Sequence, residues 1–179
     1  LLAYSSISHM GYALAGVATG TVSGYTSTIV YITIYIVMNM GTFACIYLMK
    51  IDGRYTEKIE DLSGLSKEKP VFAFSFLILF FSLAGIPPLG GFFAKFFVFM
   101  SVIESELYAL AIIGLLTTVI SAFYYLKVIK IIYFDNNKIK FDEVRNVSIK
   151  TTIFLSCLIL SLYFISPSII NSLLNGLFI

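Results

Sequence analysis

The chain has 179 residues, 59% of them hydrophobic and 12% charged, with a formal net charge of +2. A soluble domain of this size would carry amphipathic stripes and polar faces. Its long segments are instead apolar on every side, so an all-α integral membrane protein is expected. Short alternating strands of the membrane-barrel kind are absent, as are Gly-rich nucleotide loops and any basic-aromatic surface for nucleic acid.

Five spans are expected, at residues 1–20, 28–49, 70–103, 107–126 and 151–174; all but the third are near the roughly 20 residues that cross ~30 Å of hydrocarbon. The first carries Ser5, Ser6, Ser8 and His9; Gly16 and Gly20 have the spacing of a small-residue helix contact. The second holds Asn39 near its centre, and Pro70 suits the first turn of the third. That third span would reach about 51 Å as one helix, against ~30 Å of hydrocarbon. It must break, and the run Gly85-Ile86-Pro87-Pro88-Leu89-Gly90-Gly91 says where, because proline removes a donor and clashes with the preceding turn. The fourth carries Thr117, Thr118 and Ser121 and ends in Tyr124-Tyr125-Leu126-Lys127, which reads as an aromatic-plus-basic interface anchor. Lys127 and Lys130 read as snorkelling residues. The fifth is plain apart from Pro167 near its outer end.

Of twelve Lys and Arg residues, five lie in 50–69, six in 127–150, and one is Lys95. The connections 21–27 and 104–106 carry none. The positive-inside rule therefore puts 50–69 and 127–150 on the cytoplasmic side and the C-terminus outside. Cys45 and Cys157 stand alone, without CxxC or clustered His and carboxylate, so they read as small buried hydrophobes, with no metal site and no disulfide. A first residue of Leu, in mid-helix, is expected of the C-terminal part of a longer protein.

Tyrosines aside, His9 and Lys95 are the titratable groups inside the spans; every Asp and Glu sits in a connection. Helix rise puts Lys95 about 13 Å below the outer boundary and His9 about 16 Å deep. A membrane-centre lysine costs roughly 2.5–3.5 kcal/mol or more, and marks a functional site by default. Broken backbone at that depth is tolerated only where protein or a water-filled cavity satisfies it. Lys95 beside the Gly85–Gly91 break therefore reads as part of an ion or proton path. The competing reading is a structural cation paired to a carboxylate, which these spans do not offer. His9 either joins the path or simply bonds within its serine-rich helix. Ser8, Asn39, Thr117 and Thr118 either line the path with water or hold helices together.

Two long stretches resemble the antiporter-like membrane subunits of respiratory complex I: residues 2–12, LAYSSISHMGY, and residues 82–96, SLAGIPPLGGFFAKF. Residues 35–43, YIVMNMGTF, and 123–127, FYYLK, resemble the N-type branch most. The resemblance covers essentially the whole chain. It implies a fourteen-helix bundle with inverted five-helix repeats, of which this chain would be the last five helices, the third discontinuous. It implies that Lys95 is the lysine of the broken twelfth helix, near the exit of a proton half-channel. His9 would be the histidine of the tenth-helix signature. The family's glutamate–lysine pair and central lysine would lie upstream. The implied activity is proton translocation as part of an NADH:quinone oxidoreductase, with no cofactor in this chain. NADH, FMN, iron–sulfur clusters and quinone would be used in other subunits. The implied partners are the other membrane subunits and the lipid bilayer. The implied location is the bacterial inner membrane rather than the mitochondrial one. Alternatives are a subunit of a multi-subunit sodium/proton antiporter or membrane-bound hydrogenase, and a scaffold subunit that translocates nothing.

Overall fold

The computed structural model describes residues 1–51, 53–55, 58–135, 141–142 and 146–163. Among them seven helices appear: α1 (Leu2–Ala18), α2 (Val22–Tyr47), α3 (Leu65–Glu68), α4 (Pro70–Ala84), α5 (Gly90–Glu104), α6 (Tyr108–Phe134) and α7 (Val147–Leu162). The expectation of an all-helical chain needs one small correction. A two-residue hairpin, β1 (Lys50–Ile51) with β2 (Arg54–Tyr55), sits in the polar connection and is followed by a 3-10 turn at Ile59–Leu62.

Helix α2 is the centre of the bundle, packing on α1, α4, α5 and α7. Gly41 makes the three-way crossing possible: a Cβ there would fall 2.6 Å from Leu79 of α4 and 2.8 Å from Ser156 of α7. In a membrane, where burying apolar surface brings little gain, such close backbone approach drives helix association. Met38, Phe76, Leu79 and Leu83 are fully buried in the same core. The outside is apolar too. Ile112, Leu116, Val119, Ile120 and Phe123 of α6 are all exposed, a patch suited to lipid or further helices rather than water. By length and apolarity α2 and α6 could each cross a bilayer.

Several boundaries move. Helix α2 begins at Val22 rather than near 28, because Thr21 caps it by accepting from Gly24 N. The small residues Gly24 and Ser27 let that first turn lie against α1. Of the expected Gly16–Gly20 contact only Gly16 survives: it faces Gly24 across the α1–α2 crossing, whereas Gly20 has φ +66° and open space around it. Helix α6 runs two turns past 126, because Val128, Ile129, Ile131 and Ile132 continue an inward face while Lys127 and Lys130 stay exposed. Helix α7 starts at Val147, capped by Asn146, rather than at 151. Pro167 and the expected end of the fifth span at 174 lie outside the described residues, as do Lys138, Lys140 and Arg145.

Candidate functional site: a buried lysine at a helix break

Where one long span was expected to break, the chain forms two helices in sequence, α4 and α5, joined by 85–89. Gly85 ends α4 in the left-handed conformation, φ +83°, which glycine reaches without steric cost. The reversal is sealed by bonds from Gly85 N (3.0 Å) and Ile86 N (2.9 Å) back to Phe81 O. The next two residues explain the site. In an uninterrupted helix the carbonyls of Leu83 and Ala84 would accept from the N–H groups four residues on. Those positions are Pro87 and Pro88, which have no N–H. The ammonium of Lys95 takes both carbonyls instead, Nζ donating to Leu83 O at 3.0 Å and to Ala84 O at 3.2 Å. A cation at a helix C-terminus also meets the negative end of the helix dipole.

Two glycines bring Lys95 there. Gly91, one turn before it, lies so close to α4 that an added Cβ would sit 2.6 Å from the carbonyl carbon of Ser82; its own N–H donates to Ser82 Oγ at 3.0 Å. Gly85 leaves room for the lysine stem, since a Cβ there would fall 3.1 Å from Lys95 Cδ. Gly90 sits against Leu160 and Tyr163 of the α7 end. Lys95 is 4% exposed. Its nitrogen lies 5.1 Å from the ring centroid of Tyr12, close enough for a cation–π contact.

His9 is 1% exposed, on α1. Both ring nitrogens meet phenols: Nδ1 is 2.6 Å from Tyr31 Oη and Nε2 is 3.2 Å from Tyr125 Oη. Tyr125 Oη in turn meets Ser5 Oγ. Tyr35 stacks on the imidazole at 4.7 Å between centroids, and Tyr12 packs edge to face at 5.9 Å. Thus Tyr31, His9, Tyr125 and Ser5 form one continuous hydrogen-bonded chain across α1, α2 and α6. Each member can donate and accept, so a proton arriving at one end can shift along it. Among the described residues, His9 and Lys95 are the buried members of the Asp, Glu, Lys, Arg and His set.

The structure brings His9, Lys95 and the break glycines and prolines into one region of the bundle. Thr117 and Thr118 also reach it, through Tyr12 Oη at 3.3 and 3.2 Å. Ser8 and Asn39 are only half-buried and make no hydrogen bond with these groups among the described residues. Thr42 and Ser121 bond to their own helices. The tyrosines are the functional residues that the sequence does not mark. Tyr125, expected at the membrane interface beside Lys127, is fully buried against His9. The spacing of Ser5, His9 and Tyr12 on one helical face was the available signal on α1. Nothing local separates Tyr125 from a surface aromatic, since its neighbour across space is over a hundred residues away.

Comparison with known proteins agrees with this architecture. The family model described as NADH:quinone oxidoreductase/Mrp antiporter, TM matches residues 1–121. NADH-quinone oxidoreductase subunit N of Pelagibacter ubique is 56% identical over 168 residues, 94% of this chain and 36% of that protein. The subunit N of Rhodospirillum rubrum is 46% identical over 170 residues, 95% of this chain and 35% of that one. A chain in the structure of respiratory complex I from Thermus thermophilus with bound NADH superposes with TM-score 0.79 at 27% identity, covering 94% of this chain and 35% of that chain. A chain of the Mrp complex from Dietzia shares the fold, with TM-score 0.79 at 20% identity, over 94% of this chain and 40% of that one. The chain spans about a third of the length of the curated relatives it matches. A lysine held at a proline-made helix break inside an apolar bundle is thus set in a recognisable frame: the chain belongs to the NADH:quinone oxidoreductase/Mrp antiporter family of transmembrane proteins.

Proposed function

We propose that this chain is the C-terminal proton-translocating part of an N-type membrane subunit of a bacterial NADH:quinone oxidoreductase, seated in the inner membrane among the complex's other membrane subunits. Its residues 1–179 would form the last five helices of the fourteen-helix bundle. NADH oxidation and quinone reduction, with FMN and iron–sulfur clusters, belong to other subunits; this chain moves protons. The observation that carries the reading is Lys95, buried at the end of α4 and held by two backbone carbonyls, with no carboxylate on it among the described residues.

Neutral carbonyls hold an ammonium without cancelling its charge, so the site can empty and refill. A structural ion pair would hold its proton permanently. Lys95 accepts a proton while other positive charges are distant and releases it outward when a neighbouring charge arrives and repels it. His9, with phenols on both nitrogens, is placed to feed that exchange. The break at 85–89 supplies the polar backbone that a solvated path needs at membrane depth. The oxidoreductase name of the reported relatives supports this reading over a sodium/proton antiporter or hydrogenase subunit.

The test is Lys95→Met in the full complex in sealed membrane vesicles. Proton pumping and coupled quinone reduction should fall sharply, with NADH oxidation by an artificial acceptor retained. Full pumping by an assembled Lys95→Met complex defeats the assignment.

A further inference from the structure

Resting on that proton-path reading, we propose that Tyr12 is a positioning residue whose ring bars proton exchange between His9 and Lys95 until it turns aside. No hydrogen bond joins the two ionisable groups. His9 spends both nitrogens on Tyr31 and Tyr125, and Lys95 directs its ammonium to Leu83 O and Ala84 O. What they share is the Tyr12 ring, 5.9 Å from the imidazole centroid and 5.1 Å from Lys95 Nζ. An aromatic face attracts an ammonium but has no lone pair and no exchangeable proton with which to pass one on.

The ring is held in that position from several sides. It is 3% exposed, packs edge to face on Tyr31 (6.2 Å) and Phe99 (5.8 Å), and its hydroxyl lies within bonding distance of Thr117 and Thr118 on α6. The tether is the adjustable part. Each threonine hydroxyl has one proton, and Gly114 O, at 2.8 and 3.0 Å, is an alternative acceptor for both, so they can release Tyr12 and remain satisfied. The cation–π hold also weakens when Lys95 loses its proton, so the ring is freest when the amine is empty and ready to accept. With the ring aside, water can enter, an imidazolium at His9 gives up its proton and the neutral Lys95 amine gains it.

The test uses the full subunit in the assembled complex, in sealed vesicles, with assembly scored by NADH oxidation with an artificial acceptor. Passive proton permeability is measured with no NADH present, alongside protons pumped per NADH. Tyr12→Leu should raise passive permeability and lower the pumped ratio, and adding Lys95→Met should abolish the rise, since the leak runs through that amine. Tyr12→Phe and the paired Thr117→Val/Thr118→Val variant keep the ring but drop the tether, and keep the test readable if Tyr12→Leu does not assemble. Each should raise permeability about fivefold, the enrichment of the open rotamer that follows from losing a net hydrogen bond of about 1 kcal/mol. Wild-type permeability in the ring-deleted variant, or in both tether variants, overturns the proposal. So does a leak that survives Lys95→Met. Full pumping in Lys95→Met alone overturns the underlying reading instead, whatever the Tyr12 variants do.

Discussion

Replacing Gly91 by Ala puts a single methyl group where α5 crosses α4, and its consequences can be followed to Lys95. The new Cβ would lie 2.6 Å from the Ser82 carbonyl carbon and 2.9 Å from Ser82 Oγ, with the carbonyl oxygen nearer still. Carbon atoms rest at about 3.5–4.0 Å, so the two backbones must part by about 1 Å. The neighbour is helix backbone rather than a side-chain tip, and it has no rotamer to yield. Overpacking of this kind costs about 1–3 kcal/mol. Lys95 sits one turn further along α5, with bonds of 3.0 and 3.2 Å. A shift of about 1 Å carries both beyond the ~3.2 Å limit of ordinary N–H···O bonds. The expected result is a complex that melts earlier and pumps poorly while its artificial-acceptor activity is kept. Thermal melting of the purified complex and proton uptake in vesicles read both effects. Gly11→Ala is the control: no atom lies within 4 Å of its Cβ position, and alanine favours the helix by up to about 1 kcal/mol. A Gly91→Ala complex with wild-type melting and pumping would refute the argument.

Tyr125→Phe strips a hydroxyl partner from both His9 Nε2 and Ser5 Oγ, and should cost about 1–3 kcal/mol in thermal stability along with slower pumping. Tyr124→Phe, which removes a buried hydroxyl without a hydrogen-bond partner among the described residues, should be neutral or slightly stabilising in the same melting assay. Gly24→Val drives a Cβ to 3.1 Å from Thr19 Cβ and into the Gly16 backbone. It should destabilise the α1–α2 crossing by about 1–3 kcal/mol, read as reduced assembly on native gels; undiminished assembly would show that this contact is dispensable.

Much of the molecule follows from residue order. Apolar segments without polar faces dictate membrane helices, because lipid leaves backbone groups no partner except their own helix. The break, at residues 85–89 because Gly90 and Gly91 already belong to α5, is equally local: two prolines withhold the donors that Leu83 O and Ala84 O would use, and Gly85 permits the reversed backbone. Lys95 stood out because an isolated ammonium in hydrocarbon is costly and needs a reason. The tertiary structure decided who answers each of these needs. Lys95 satisfies the very carbonyls the prolines leave open, which requires α5 to fold back so that Gly91 touches Ser82. The helix contact of Gly16 goes to Gly24 rather than Gly20, because Gly20 turns the chain out of the helix. Tyr125 leaves the membrane interface for His9, since amphipathic phenols suit either place and only the α1–α6 approach chooses. Local chemistry names the groups that need partners; which partner each one meets depends on long-range packing that no short stretch of sequence encodes.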